Sequence, residues 1–222
     1  MSNIIEVPGE SHLACVLLLD TSGSMSGSKI ESLNEGVRRF IDQVSMDETA
    51  KRRVDIAIVT FNSTVQKLQD FLPVSQMTAP LLTASGSTAM GQGIKEAVRL
   101  IKERNHFYAM KGTPAHKPWV FMITDGTPEL EPANHIEEAI DLVQREEQKG
   151  KLGKLKFWSL AVEGANKSIL HQLSPRVFDM KNHEFIGIFD WLAESMSCIS
   201  VSRPGSDPEY APLPQNVVPS EW

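Results

Sequence analysis

Four short apolar segments, separated by amphipathic helical patterns, are the feature of this sequence that most restricts how the chain can fold. The segments are rich in β-branched and aromatic residues and show little polar alternation, which is typical of strands buried on both faces of a parallel sheet. They are LACVLLL at 13–19, VDIAIVTF at 54–61, WVFMI at 119–123 and FWSLAV at 157–162.

Apolar residues recur at helical spacing in the stretches between and after these segments. Strands that alternate with helices form βαβ units with right-handed crossovers, and they place helices on both faces of one sheet. The sequence therefore predicts an α/β fold with a doubly wound, mostly parallel central sheet of Rossmann-like type. The four apolar helical stripes lie within residues 30–44, 94–101, 136–143 and 185–199.

Weaker sequence patterns predict two further strands and the end of the folded domain. Residues 64–71, TVQKLQDF, alternate between polar and apolar and predict one short antiparallel edge strand, and VFDM at 177–180 predicts a last strand. After Ser202 the chain is rich in proline and lacks periodicity. We therefore expect a domain over residues 1–202 and a C-terminal tail over 203–222, with disorder as the first expectation and docking on the domain as the alternative.

Composition excludes several classes of function. A formal net charge of -6 argues against nucleic-acid binding, which favours a basic surface. The N-terminus resembles no signal peptide, and no apolar run approaches the roughly 20 residues of a membrane span, so we expect a cytoplasmic protein. We expect Cys15 and Cys198 to be buried free thiols, and the remaining histidines at 12, 106, 116 and 135 to lie on the surface.

Polar residues cluster just after two strands and just before one helix. In an open parallel sheet, the loops at the carboxyl ends of the strands converge on one edge and bind ligands there. Each residue alone has a simpler explanation as a helix cap or a turn, but their joint position favours a common site. The candidates are Asp20, Ser22 and Ser24 in DTSGS, Ser87 and Thr88 in ASGSTAMG, and Asp125 in TDG.

The loop after the first strand allows two kinds of chemistry. Asp20, Ser22 and Ser24 read as D-x-S-x-S, a set of hard oxygen ligands for a metal, whereas residues 23–27 read as G-x-S-x-G, the motif of a hydrolase nucleophile centred on Ser26. A nucleophile elbow requires the serine directly after its strand, and Ser26 lies well beyond that point. Asp125 with either His171 or His183 would give the required residue order, but the context of neither histidine supports that role.

Other enzyme classes find little support in the motifs. The sequence contains neither a phosphate-binding G-x-x-x-x-G-K-[ST] motif nor an H-E-x-x-H zinc motif. An aspartyl-phosphate phosphatase would use Asp20 as its nucleophile, but Ser22 stands where that mechanism places a second acid. A metal-dependent phosphatase-like enzyme that uses Asp20 remains the alternative hypothesis for function.

The three polar segments DTSGSMSG, GSTAMG and ITDGTP resemble the three parts of the metal-ion-dependent adhesion site of von Willebrand factor type A (VWA) domains, and the resemblance covers about residues 10 to 200. Within that family the chain resembles the small bacterial proteins of the TerY/YegL type, which are linked to tellurite-resistance clusters. KPWVFMITDG around the third strand and the late segment FDWLAESMSCISVSRPG carry this second likeness.

The resemblance implies a role for each residue of the motif. Ser22, Ser24 and Thr88 would contact a divalent cation directly, and Asp20 and Asp125 would hold it, partly through water. Mg²⁺ is the expected ion, with Mn²⁺ or Ca²⁺ as alternatives, and an Asp or Glu carboxylate of a protein partner would take the sixth position. Ser87 departs from the Gly or Asp often found there, but its small side chain should still let the loop close.

The resemblance also implies a function without catalysis. We expect a metal-dependent protein-binding module of a bacterial stress-response or tellurite-resistance system, whose partner is a kinase or phosphatase of the same cluster. This expectation rests on analogy within the family. A structural scaffold with a vestigial site is a third hypothesis. We expect Asp20 to lie at a solvent-facing strand end, so that its loss would spare the fold.

Overall fold

A seven-stranded sheet forms the centre of the computed structural model, which describes residues 4–129, 131–148, 155–182, 184–206 and 209–221. The strands are β1 (Leu13–Asp20), β2 (Val54–Phe61), β3 (Val65–Pro73), β4 (Trp119–Thr124), β5 (Lys156–Ala161), β6 (Val177–Met180) and β7 (Val217–Pro219). The helices are α1 (Ser28–Met46), α2 (Ala50–Arg53), α3 (Met90–Met110), α4 (Ala133–Glu147), α5 (Lys167–Leu173) and α6 (Ile186–Ser200).

The strand order is β3-β2-β1-β4-β5-β6-β7, and the five inner strands are parallel. The chain builds outward from β1 through β2 to β3, then returns to the other side of β1 and builds outward again from β4. The order therefore reverses between β1 and β4, and the carboxyl ends of these two strands flank the crevice where open α/β sheets bind ligands.

Two apolar cores lie on the two faces of the sheet, because successive side chains of a strand point to opposite faces. Leu13, Cys15, Leu17 and Leu19 of β1 join the core covered by α1 and α6. Ala14, Val16 and Leu18 join the core covered by α3 and α4. The predicted α/β fold with helices on both faces is confirmed, and so is the antiparallel edge strand β3.

The C-terminal tail adds a second antiparallel strand that the sequence analysis missed. β7 pairs with β6 at the edge opposite β3, and the Trp191 indole Nε1 donates a hydrogen bond of 2.7 Å to the carbonyl of Ala211. The expectation of a disordered tail is therefore wrong for Tyr210 to Pro219, where the alternative of a docked tail holds, whereas Trp222 lies outside the described residues. The division into a domain over residues 1–202 and a tail over 203–222 stays a prediction.

Several expectations about which side chains are buried are also wrong. Cys15 is buried as predicted, but Cys198 is exposed because it lies on the outward face of α6. His12 and His116 were expected on the surface but are buried. His12 lies just before β1, and its Nδ1 is 3.0 Å from Oδ2 of Asp55. The Nε2 of His116 is 3.2 Å from the hydroxyl of Ser11. Within the described residues, every helix falls short of the length or apolar content that crossing a membrane would require.

Candidate metal centre

The first part of the site is the junction of β1 and β4, where two strand ends place Asp20 beside Thr124. The Thr124 hydroxyl donates a hydrogen bond of 2.6 Å to Oδ2 of Asp20, and the backbone N–H of Ser22 donates one of 2.8 Å to Oδ1. Asp20 is 0% exposed, so the expectation of a solvent-facing position is wrong. Its carboxylate lies beneath the loop that follows β1.

Burial raises the pKa of the Asp20 carboxyl above its ordinary value. Hydrogen bonds from Ser22 and Thr124 oppose this shift, and the negative charge of Asp125 adds to it. A nearby cation would stabilise the anionic form of the buried Asp20 carboxyl.

The two serines of the D-x-S-x-S motif connect β1 to Asp125. The hydroxyls of Ser22 and Ser24 lie 3.0 Å apart, and the Ser24 hydroxyl donates a hydrogen bond of 2.7 Å to Oδ1 of Asp125. A single 3₁₀ turn over Gly23–Met25 bends the loop, and the buried Met25 side chain anchors it in the core. Residues that lie far apart in sequence thus form one continuous polar chain.

Thr88 joins the site from a separate loop. A Cβ atom placed on Gly126 would lie 3.3 Å from both Oδ2 of Asp20 and Oγ1 of Thr88, so these two oxygens face the same small space. Thr88 is 3% exposed, and its hydroxyl forms no hydrogen bond within the described part of the chain. A glycine at 126 is what leaves room between the two oxygens.

Backbone hydrogen bonds hold the Thr88 loop against the loop after β1. The N–H of Gly23 donates to the carbonyl of Gly86 at 2.9 Å, and the N–H of Ser85 donates to that of Thr21 at 2.8 Å. Gly86 has a φ of 76° and a Cβ there would lie 2.4 Å from the Ser63 hydroxyl, so only glycine fits. The Thr88 loop is therefore positioned by backbone contacts.

Ser87 does not join the cluster. Its hydroxyl lies 3.1 Å from that of Ser63, and its backbone N–H donates to the Ser63 hydroxyl at 3.0 Å. Both contacts fasten the Thr88 loop to the turn between β2 and β3. The loop thus closes with serine at this position, as the sequence analysis expected.

Lys29, which the sequence analysis missed, completes the cluster. Its ammonium group forms an ion pair with Oδ2 of Asp125 and lies 3.3 Å from the carbonyl of Glu163. The Lys29 side chain is only 18% exposed. The sequence shows that Lys29 follows DTSGS closely, but it does not show which residue Lys29 contacts. Lys29 and Asp125 lie on separate βα units, so no sequence motif contains both of them.

The simpler explanation of these residues as helix caps is wrong. The N-cap residues are Gly27 for α1 and Ala89 for α3, and neither cap uses a side-chain hydrogen bond. The hydrolase hypothesis also finds no geometry to support it. Ser26 is exposed and its hydroxyl has no hydrogen bond among the described residues, while the His171 ring contacts Ser220 at 3.2 Å. His183 lies outside the described residues.

The set of donors fits a hard divalent cation. The candidate ligands are three neutral hydroxyls and two carboxylates, and the described residues contain no group of three or more His, Cys, Asp or Glu side chains that could hold a metal ion. An ion here would therefore depend on hydroxyl oxygens as well as carboxylates. The Ser24 hydroxyl directs its proton to Asp125 and accepts a hydrogen bond from Ser22, which leaves one lone pair for a ligand. The unbonded Thr88 hydroxyl offers a further oxygen.

Comparison of the fold with solved structures gives matches that agree on the architecture. A von Willebrand factor type A protein from Catenulispora acidiphila is 17% identical at a TM-score of 0.65, with 85% of this chain and 43% of that chain covered. The pilus adhesin SpaC of Lactobacillus rhamnosus GG is 12% identical at 0.66, with 85% and 31% covered. The VWA2 paralog of ArnB from Sulfolobus acidocaldarius is 14% identical at 0.53, with 84% and 46% covered.

These identities support a shared fold alone, and the chain spans less than half the length of each of these three structures. No curated protein matches the sequence. A family model described as von Willebrand factor type A domain matches residues 15–127, about half of the chain, and this segment contains all five residues predicted as ligands. The chain therefore belongs to the von Willebrand factor type A domain family.

Proposed function

We propose that this protein is a binding module in which a divalent cation, Mg²⁺ in the first instance, links the domain to a carboxylate of a protein partner. The observation that carries the proposal is the convergence of three loops at the β1–β4 crevice. Asp20, Ser22, Ser24, Thr88 and Asp125 are the residues that would hold the ion.

The chemistry of the donor set favours binding over catalysis. Mg²⁺ and Mn²⁺ prefer oxygen ligands, and neutral hydroxyls do not cancel the charge of the ion. An ion held in this way retains positive charge at its outer face and attracts an anionic ligand from outside. Ser24 and Thr88 carry no charge, and both carboxylates accept hydrogen bonds that fix their orientation within the described structure, which favours holding an ion over transferring a proton.

A phosphatase-like enzyme that uses Asp20 is the less favoured alternative. A carboxylate nucleophile must reach its substrate with a free oxygen lone pair. Asp20 is fully buried, and both of its oxygens accept hydrogen bonds from Ser22 and Thr124. Phosphate release that disappears in Asp20→Asn would favour this alternative over the binding module.

The proposal also includes a cellular compartment, a biological process and a class of partner. The likeness of KPWVFMITDG and FDWLAESMSCISVSRPG to the TerY/YegL type supports a cytoplasmic role in a bacterial stress response or in tellurite resistance, with a kinase or phosphatase of the same cluster as the partner. Both segments belong to one structural unit, because Trp119 of the first stacks on Trp191 of the second at 6.3 Å between ring centroids.

A pair of neighbouring serines provides the test. Ser24→Ala removes a hydroxyl that bonds Asp125, and Ser26→Ala removes an exposed hydroxyl two positions away that bonds nothing in the described structure. We expect Ser24→Ala to weaken Mg²⁺ and Mn²⁺ binding in calorimetric titration and to abolish magnesium-dependent capture of the partner. Ser26→Ala should behave like the unchanged protein in both assays.

Two results would contradict the proposal. One is equal loss of metal binding in both serine variants, and the other is partner capture that persists in the presence of a chelator. A fluorophosphonate label on Ser26 would instead support the hydrolase hypothesis.

A further inference from the structure

We infer that Lys29 is a built-in counter-charge of the metal centre, which weakens the binding of the divalent cation and strengthens the attraction of the bound cation for an anionic ligand. The inference rests on the proposed function, since it concerns the same site. It assigns a role to a residue outside the five expected ligands.

The position of Lys29 is the first observation. Its ammonium group pairs with Oδ2 of Asp125, while Oδ1 of the same carboxylate accepts the hydrogen bond from Ser24. Asp125 is therefore shared between Lys29 on one side and the D-x-S-x-S loop on the other. A cation held by that loop and the Lys29 ammonium would act on the same carboxylate.

The second observation is that the local helix does not account for a lysine here. Lys29 is the second residue of α1, and the positive end of the helix dipole disfavours a cation in the first turn. The side chain is nevertheless only 18% exposed and bridges Asp125 to the carbonyl of Glu163. The contacts across the site, and not the helix, hold the ammonium in place.

The charge balance of the site gives the consequence. Asp20 and Asp125 carry two negative charges, and Lys29 cancels one of them. A divalent cation then leaves the site with one net positive charge, whereas without Lys29 the site would be neutral. Repulsion between the ammonium and the ion lowers metal affinity, and the remaining positive charge favours a carboxylate at the outer face of the ion.

The test uses Lys29→Gln, which removes the charge but keeps a hydrogen-bond donor for Asp125, and Lys29→Arg, which keeps the charge. Lys51→Gln is the matched control, because Lys51 is a partly exposed lysine paired with Glu48 just before β2, at the opposite end of the sheet. The probes are Mn²⁺ alone, measured by electron paramagnetic resonance, and acetate added to the Mn²⁺-loaded protein, measured by water-proton relaxation.

We expect Lys29→Gln to bind Mn²⁺ about fivefold to tenfold more tightly and to bind acetate more weakly by a similar factor. The difference should shrink at high salt, which screens the partly exposed ammonium. Lys51→Gln should match the unchanged protein in both measurements, and Lys29→Arg, which keeps the charge, should lie closer to the unchanged protein than Lys29→Gln does.

Opposite movement of the two affinities separates this role from simple positioning of Asp125. If Lys29 only orients the carboxylate, Lys29→Gln will bind Mn²⁺ equally well or more weakly, and that result overturns the inference while Mn²⁺ binding by the unchanged protein stands. Absence of Mn²⁺ binding in the unchanged protein would overturn the proposed function and this inference with it.

Discussion

At the scale of single residues, Gly126 controls the space between the oxygens of Asp20 and Thr88. A methyl group at this position would lie 3.3 Å from both oxygens, and the backbone there does not require glycine. We expect Gly126→Ala to lower Mg²⁺ affinity at least about tenfold because the methyl group crowds the ion, with a change in unfolding free energy of no more than about 1 kcal/mol. Calorimetric titration and thermal denaturation of the same variant measure the two quantities.

An unchanged Mg²⁺ affinity in Gly126→Ala would show that the space between Asp20 and Thr88 is not where the ion binds. Loss of both affinity and folding stability would point instead to a packing role for the glycine.

The sequence predicted which residues meet at the site but not how they are held. D-x-S-x-S and Asp125 follow strands whose carboxyl ends meet at one edge of a parallel sheet, and Thr88 precedes a helix at the same edge. Their role as metal ligands stays a prediction. Lys29 and Gly126 were missed, since the contact of Lys29 spans two βα units and the role of Gly126 appears only when the neighbouring oxygens are placed. Their roles depend on distances in the folded chain, which spacing does not encode.

At the scale of elements, the tail closes an aromatic core. Tyr210 packs against Trp119 and Trp158 at 5.6 and 5.5 Å between ring centroids, and Val217 of β7 is buried. Truncation after Ser202 should lower the unfolding free energy by about 2–4 kcal/mol, because it uncovers the tryptophans and removes Val217 from the core. Chemical denaturation measures the loss.

Tyr210→Ala is the milder form of this test, and we expect a smaller loss in the same direction. Limited proteolysis should leave the tail of the unchanged protein intact at low protease concentration. Rapid removal of the tail without a change in denaturation midpoint would contradict the docked arrangement.

The segment between α3 and β4 contains a buried histidine that couples stability to pH. Burial, reinforced by the positive charge of Arg53 and by His12, lowers the pKa of His116 from 6.5 to about 4. The unfolded chain therefore binds a proton before the folded chain does, and acid favours unfolding. The stability that neutral His116 contributes is complete above pH 6.5 and is lost as the pH falls toward 4.

His116→Gln should flatten this dependence. We expect the unfolding free energy of the variant to fall less than that of the unchanged protein between pH 7 and pH 4.5, as measured by urea denaturation at a series of pH values. Parallel curves for the two proteins would mean that His116 titrates equally in the folded and unfolded states.

The sequence predicted the buried inner strands well, but it did not predict the short elements whose formation depends on tertiary contacts. β1, β2, β4 and β5 lie within one residue of the predicted segments, since continuous apolar runs mark strands covered on both faces. β7 was missed because its three residues, one of them a proline, are too few to show alternation, and α2 and α5 are too short to show an apolar stripe. Their existence depends on the neighbours that they pack against.

At the scale of the whole molecule, the residues proposed to bind the ion and a buried charged cluster that stabilises the fold lie at opposite ends of the sheet. The candidate metal centre lies at the carboxyl ends of β1 and β4, and a buried charged cluster lies at the opposite end. There Asp55, the second residue of β2, forms an ion pair of 3.0 Å with Arg104 and accepts a hydrogen bond from the Tyr108 hydroxyl. Arg104 also donates to the carbonyl of Ile4 at 2.8 Å, which fastens the N-terminal segment.

Asp55→Asn tests this separation. Removal of the negative charge takes an ion-pair partner from the buried Arg104 guanidinium, so we expect the unfolding free energy to fall by about 3–5 kcal/mol. The Mn²⁺ affinity of the folded fraction should be unchanged, since the cluster and the metal centre lie at opposite ends of the strands. Spectroscopic Mn²⁺ titration below the unfolding transition measures it, and a parallel loss of affinity would contradict the separation.

The proposed function requires that residues from three loops form one divalent-cation site. Anomalous diffraction from crystals soaked in Mn²⁺ tests it most directly, because the signal locates the metal without assumptions about ligands. We expect a strong peak within coordination distance of the Ser22, Ser24 and Thr88 hydroxyls, with Asp20 and Asp125 around it. A crystal with no peak there, or with its strongest peak bound by other residues, would show that the three loops do not form a cation site.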